Sequence, residues 1–326
     1  MSSKIVAFGE IMLRLTPESK QLIPQVSSFN ACYGGSESNV LVCLANLGNQ
    51  TEFITALPNN SLGYAATKHL RSYGVDTSNI VYTNERLGVY YLEEGVAERS
   101  AKVIYDRQHS AVSLLTVDSF DFEKVFKDCS LFHISGISFA LSETTKELCF
   151  QLIREAKKRE IPVSFDFNYR RKLWTPEEAT RVYKKIVPLC DIVFAATQDI
   201  NEFLGVSAKT FFDVYPCTTL FIREREVISP ERNIIRAIGY RSVNGQVMKT
   251  APQKEEFAVY ERIGSGDAFA GGILHILNKE PDNIEKALSY GMSCMVLKHS
   301  LTGDVFTLNE DAVIDFLNRK RNDINR

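Results

Sequence analysis

The sequence predicts an α/β protein, a mostly parallel sheet covered by helices on both faces, and two patterns carry that expectation. Segments 4–10 (KIVAFGE), 51–58 (TEFITALP), 130–138 (SLFHISGIS), 161–168 (IPVSFDFN) and 191–197 (DIVFAAT) are nearly continuous runs of apolar and β-branched residues. Such runs suit strands buried on both faces, where the half-wet strands of an antiparallel sheet would alternate. Between them, 36–49 (SESNVLVCLANLGN), 61–74 (SLGYAATKHLRSYG) and 142–160 (SETTKELCFQLIREAKKRE) space their apolar residues at three to four, and Gly48 and Gly74 supply helix stops. Strand and helix in alternation require crossover connections, which leave the carboxyl ends of the strands as the ligand edge.

The alternation breaks twice. From 11–17 (IMLRLTP) to 28–35 (SFNACYGG), and again from 88 to 107, short strands are joined by turns with no helix between them. These stretches, about 12–33 and 88–110, are expected to pair into a small separate sheet acting as a lid over the ligand edge, although a plain surface hairpin fits the pattern as well. No internal repeat or long Pro/Gly linker divides the chain, so a single domain is expected over 1–326, with the final NRKRNDINR a fraying polar tail.

Composition narrows the function. The chain has 326 residues, 44% hydrophobic and 24% charged, an ordinary balance for a folded protein with a large core. Thirty-eight Lys and Arg against 40 Asp and Glu leave a net charge of −2, without the basic surplus that nucleic-acid binding draws on. No apolar run is long enough for a membrane span and the first residues do not form a secretory signal, so a cytoplasmic protein is expected. Seven scattered cysteines, without a C-x-x-C pair, read as reduced core thiols, and five dispersed histidines show no metal-ligand spacing.

The segment 261–278 (ERIGSGDAFAGGILHILN) is the most informative. Gly264, Ser265 and Gly266 make a turn, and Asp267 opens an apolar helix running through Ile273, Leu274 and Leu277. Glycines let the backbone approach a ligand, while free N–H groups and the dipole at a helix start attract an anion such as a phosphoryl group. A carboxylate beside that hole is placed to take a proton from a hydroxyl attacking phosphorus. This is a kinase arrangement, with Asp267 the base and Gly264, Ser265 and Gly266 the anion hole. Taken alone, the string also describes a plain turn capped by Asp267.

Other segments weigh on that choice. ERIGSGDAFAGG resembles the C-terminal signature of the ribokinase-like, PfkB-type carbohydrate kinases, and YGGSESNVLVCLANLG resembles their N-terminal glycine-rich signature. Within that family GEIMLRLTP, LGVYYLEEG, KVIYDRQHSA, SFDFNYRRKLW, REVISPERN and LKHSLTGD are similar to segments of the 2-keto-3-deoxygluconate kinases, so the resemblance covers essentially the whole chain. It implies a ribokinase-like three-layer α/β/α sandwich with a small β-sheet lid. It also implies transfer of the γ-phosphoryl group of ATP, with Mg2+, to the terminal (6-) hydroxyl of 2-keto-3-deoxygluconate. A homodimer or a higher homo-oligomer is the family's habit, and pairing of lid edges between two chains would protect them.

An acid sugar needs a cationic partner, and the planar guanidinium of arginine offers a carboxylate paired donors. KVIYDRQHSA provides Arg107, with Tyr105 two residues earlier on the same strand face, as the first carboxylate ligand; pairing with neighbouring Asp106 is the bland alternative. By resemblance Arg170 also reaches the substrate, with Asn168 nearby, while Arg171 and Lys172 are solvated loop charges. Gly34 and Gly35 are expected to bring backbone close to the sugar hydroxyls, with Asn39 one turn into the following helix. Resemblance alone assigns Tyr90 to the sugar and Asp304 to a return contact with the substrate.

The nucleotide side is less complete. Relatives carry N-x-x-E after the strand that matches DIVFAAT, where this chain reads AATQDINEFLG. Either Asp199 replaces the glutamate and Ala196 stands for the asparagine, or Asn201 and Glu202 act in a shifted register, so no metal residue is assigned and magnesium is expected on the nucleotide phosphates and water. Ser229 and Asn233, in REVISPERN, are nucleotide candidates by resemblance, beside Gly264 and Gly266. Two alternatives stay open: the same transfer to a neutral sugar such as fructose or ribose, and a catalytically silent sugar-binding homologue.

Overall fold

The structure, a computed structural model, describes residues 3–229 and 231–318; beyond Asn318 the expected polar tail lies outside the described residues. Inside the main sheet, third from one edge, is Lys4–Phe8, with Gln50–Ile54 parallel on one side and Cys129–Ser135 parallel on the other. The parallel order continues through Val163–Asp166, Ile192–Ala195 and Thr219–Ser229. Alternation of side chains along Lys4–Phe8 sends Ile5 and Ala7 into one apolar cluster and Val6 and Phe8 into a second on the opposite face. All four are 0% exposed, which is why the run reads as unbroken hydrophobicity. Each large apolar side chain buried this way contributes about 1.5–3 kcal/mol relative to exposure.

The two clusters define the layers. Helices Ser36–Asn46, Ser265–Lys279 and Ile284–Lys298 cover the first, and Glu143–Lys158 with Pro176–Ile186 covers the second. Local chemistry sets the starts: the Ser142 hydroxyl accepts from the Thr145 N–H, and Thr175 and Glu178 form a reciprocal capping box. The three-layer sandwich is therefore the one the alternating pattern implies.

One part of the sheet has no counterpart in the sequence expectations. After Thr219–Ser229 the chain turns back as Arg232–Val243, and Gln246–Lys249 and Gln253–Ala258 pair antiparallel with successive halves of that strand. These strands escape detection because their outer halves are wet: Arg223 to Ser229 is mostly exposed or half-buried, so no continuous apolar run marks it.

The small sheet has four strands, in the order Phe29–Gly34, Met12–Pro17, Val89–Glu93, Lys102–Asp106. Its middle pair is parallel and its outer pairs antiparallel, so the two breaks in the alternation interleave into one sheet. Met12, Tyr90 and Leu92 form its apolar underside, and Ile263, just before the glycine turn, packs against them. That contact joins the small sheet to the ligand edge of the main one.

Candidate active site

A cleft of about 840 Å³ opens between the two sheets. Its floor consists of residues just past the carboxyl ends of parallel strands, among them Glu10, Ile137, Asn168 and Ala196, as expected for an open α/β sheet. Its roof is the small sheet, where Tyr90 and Tyr105 stand opposite each other with ring centroids 6.0 Å apart. Gly34, Gly35, Asn39, Tyr90, Tyr105, Arg107, Asn168, Arg170 and Asp304 all line this cleft, and so does the turn from Gly264 to Asp267.

Asp267 lies in the first turn of Ser265–Lys279. Its carboxylate accepts hydrogen bonds from the Ser36 hydroxyl (3.0 Å) and the Asn39 amide (2.7 Å), both from the helix that follows Gly34 and Gly35. Asn168 donates in turn to the Ser36 oxygen at 2.6 Å. Burial pushes the Asp267 carboxyl up to about 7, the Asn39 and Ser36 hydrogen bonds and Arg170 working against it and the Asp166 charge with it. A carboxyl held there is a proton acceptor near neutral pH, which a simple helix cap is not. Ser36 is a site residue that the sequence reading missed.

The turn needs glycine at its start. Gly264 has φ of 77°, and a Cβ there would sit 1.7 Å from the Asp304 carbonyl oxygen. Gly35 is similarly constrained, since its Cβ would meet the Glu10 carbonyl oxygen at 1.8 Å. Arg223 stands beside Gly266 and donates to Asp166 at 3.2 Å. With Arg225 and Arg262 it makes one wall of the cleft positive. Burial and the two neighbouring guanidiniums of Arg262 and Arg223 hold Arg225 below its ordinary pKa. None of these three arginines was singled out from sequence, although Arg223 directly follows the apolar run TLFI at the end of a parallel strand.

The arginines of the sugar side differ in their surroundings. Arg170 is half-buried on the cleft wall, while Arg171 and Lys172 are exposed, as expected. Arg107 is not paired with Asp106, which instead bonds Arg86 at the surface. It is buried and forms an ion pair with buried Glu10, a residue the sequence reading passed over. Asp304 is likewise already engaged. It accepts from Tyr90 and, at 2.7 Å, from Arg14, which also pairs with Glu261. The two carboxylates raise the Arg14 pKa against the effect of burial, and burial raises the Tyr90 hydroxyl well above its usual range.

On the nucleotide side the structure corrects the placement of two residues. Ser229 and Asn233 do not line the cleft: Ser229 lies at the far end of its strand, where its hydroxyl accepts from the Glu231 N–H, and Asn233 is 0% exposed opposite Val227 and Phe257. Their strands run past the cleft instead of ending at it. In the altered segment, Asp199 caps its own turn by accepting from the Ala196 N–H at 2.8 Å, Asn201 reaches the cleft and Glu202 faces solvent. Among the described residues no three His, Cys, Asp or Glu side chains converge to hold a metal. No described helix is long and apolar enough to cross a membrane, and all seven cysteines are free.

Comparison with known proteins places the chain in a family. The sequence profile of the pfkB family carbohydrate kinases matches residues 2–218. A 2-dehydro-3-deoxygalactonokinase from Haloferax volcanii is 33% identical over 314 residues, which cover 96% of each protein. The crystal structure of 2-dehydro-3-deoxygluconokinase from Thermotoga maritima superposes with a TM-score of 0.92 at 35% identity, over 98% of this chain and 99% of that one. A putative 2-keto-3-deoxygluconate kinase from Enterococcus faecalis gives 0.90 at 30% identity, over 100% and 99%. With a glycine turn, an anion-attracting helix start and a carboxylate of raised pKa in one cleft, and with relatives matched along nearly the whole length, the chain belongs to the pfkB family of carbohydrate kinases.

Proposed function

We propose that the protein transfers the γ-phosphoryl group of ATP to the terminal hydroxyl of 2-keto-3-deoxygluconate, giving the 6-phosphate and ADP. The observation that carries this reading is the placement of Asp267 beside the glycine turn at one side of a cleft whose other walls hold Arg107 and Arg170. The acceptor hydroxyl gives its proton to Asp267 as its oxygen bonds to the γ-phosphorus. The bond from that phosphorus to the bridging oxygen breaks, and ADP leaves with the electron pair. The N–H groups at the start of Ser265–Lys279 and the Arg223 guanidinium face the charge that develops on the phosphoryl oxygens. On the nucleotide phosphates, magnesium would supply further neutralisation of that charge. Closure of the small sheet keeps water from competing as acceptor.

The raised carboxyl of Asp267 sets a pH dependence. A base must be ionised to act, so kcat/KM is expected to rise about tenfold per pH unit below about 7 and to level off above it. A profile flat from pH 5 to 8 would remove Asp267 from that role.

The pairing of Arg107 with Glu10 favours one competing reading, a neutral sugar as acceptor, because it leaves less positive charge for a carboxylate. ADP release with ATP and magnesium, measured on 2-keto-3-deoxygluconate, fructose and ribose at equal concentration, separates the two. Preference for the keto acid supports the acid reading, turnover of a neutral sugar alone overturns it, and no turnover of any points to the silent homologue. The small sheet ends at the strands Phe29–Gly34 and Lys102–Asp106, whose open edges fit a homodimer formed through the lids. Light scattering at the mass of one chain would refute the dimer.

A further inference from the structure

The Ser36 hydroxyl stands between a group that only donates and one that only accepts. Its oxygen receives the Asn168 side-chain amide at 2.6 Å and lies 3.0 Å from Asp267 Oδ1. An amide nitrogen donates and an ionised carboxylate accepts, so the Ser36 proton has one place, on the line to Asp267. The other carboxylate oxygen is held with equal definition: the Gly35 N–H donates to Asn39 Oδ1 at 3.3 Å, which turns the Asn39 amide nitrogen toward Asp267 Oδ2 at 2.7 Å. Asn168 is itself fixed from behind. Its φ of 41° lies in the left-handed region that asparagine tolerates, and its N–H donates at 3.1 Å to Asp166 Oδ1, at the end of Val163–Asp166. Asp166 Oδ2 in turn accepts from Arg223 at 3.2 Å. Ser36, Asn39, Asn168 and Asp267 all line the cleft.

From this we infer that Ser36 is a positioning residue for the phosphoryl transfer, which carries the fixed direction of the Asn168 amide to Asp267 and holds one carboxylate oxygen while Asn39 holds the other. The inference rests on the reading of Asp267 as the base, whichever sugar is the acceptor. Two donors on two oxygens set the plane of the carboxylate, and each oxygen keeps a further lone pair for the acceptor hydroxyl. A donor to the ionised form also lowers the pH at which that form appears. Ser36 thereby offsets part of what burial and the Asp166 charge do to Asp267, with Asn39 and Arg170 acting in the same direction as Ser36. Lys298, from Ile284–Lys298, and the Cys43 thiol, from Ser36–Asn46, also face Asp267. All of these groups stay in place when Ser36 alone is changed.

The test is the pH profile of kcat/KM for the wild type, Ser36→Ala and Ser36→Thr, with ATP, magnesium and whichever of 2-keto-3-deoxygluconate, fructose and ribose is turned over fastest. Ser36→Ala is expected to move the rising limb up by about 0.5–1 pH unit, the net worth of one hydrogen bond. Its kcat/KM then falls about three- to tenfold at pH 6 and stays within about threefold of wild type at pH 9, with KM for ATP unchanged. Ser36→Thr keeps the hydroxyl, and its limb is expected within about 0.2 pH unit of the wild type. A limb that Ser36→Ala leaves in place, or that both variants displace alike, makes Ser36 a structural residue of the helix start and overturns the inference alone. If Ser36→Ala does not fold, Asn168→Gly removes the amide yet allows the positive φ, and must move the limb in the same direction. A wild-type profile without a rising limb removes Asp267 as the base and this inference with it, and so does the absence of turnover with all three sugars.

Discussion

Asp267→Asn is expected to lower kcat by a factor of about 10²–10⁴ while KM for ATP and for the sugar shifts only a few-fold. The amide is nearly isosteric and cannot take the proton of the attacking hydroxyl. What the change removes is felt in the transition state, where that proton is in transit, and little of it in the ground state. The glycine turn and the helix start are untouched, since Gly264 is fixed by its own φ and by the Asp304 carbonyl, not by Asp267. The rise of kcat/KM with pH up to about 7 should also disappear, because the carboxyl responsible for it is gone. Steady-state kinetics with coupled ADP detection reads all three quantities. A variant with near wild-type kcat would mean that the proton leaves by another route, and no neighbouring side chain bonded to Asp267, neither Ser36 nor Asn39, is a base.

Asp267 was legible in the sequence because three local rules meet on one segment: glycines that allow a left-handed residue, an apolar helix after them, and a carboxylate at its start. Arg14 was not legible for the opposite reason. Charged residues flanking a strand ordinarily face water, and nothing local tells that Arg14 meets Asp304, 290 residues away. The rule that ligand contacts follow the carboxyl ends of parallel strands does point at Glu10, directly after KIVAFG, and at Arg223, directly after TLFI. Applied residue by residue it would have named both. Ser229 and Asn233 went astray because the resemblance supplied a segment without the register that fixes which of its residues face the cleft.

For the fold, burial decided what was visible. Strands 0% exposed on both faces, such as Ile5 to Phe8, are unbroken apolar runs in the sequence. Arg232–Val243 carries the same sheet onward, yet it alternates buried Ile235 and Ala237 with half-buried Arg236 and Ile238, and its partners are wetter still. An edge built of such strands is stabilised by its ladder and by contacts distant in sequence, which a period-based reading does not weigh.

The second large effect concerns stability. Arg14→Met is expected to destabilise the fold by about 3–5 kcal/mol, because it strips the shared cation from two buried carboxylates. Arg14, Glu261 and Asp304 have side chains only 4%, 6% and 3% exposed, so water cannot replace the guanidinium. Tyr90 and the Gly303 N–H each still donate to one of the carboxylates, and Lys298, itself buried and held below its ordinary pKa chiefly by that burial, remains nearby. These partners soften the loss without supplying a second charge-to-charge contact. The sign with pH follows from Glu261. Burial already raises its carboxyl, and Arg14 is the foremost influence holding it down. Without Arg14 it rises further, so the folded variant holds this proton more tightly than the unfolded chain does. That contribution is fully present below the ordinary glutamate pKa of about 4.3 and is lost as pH rises through the raised value. Urea unfolding should therefore show the gap between wild type and Arg14→Met narrowing as the pH is lowered from 8 toward 5. A gap that is constant, or that widens on acidification, would place the lost stability in packing and not in the uncompensated carboxylates.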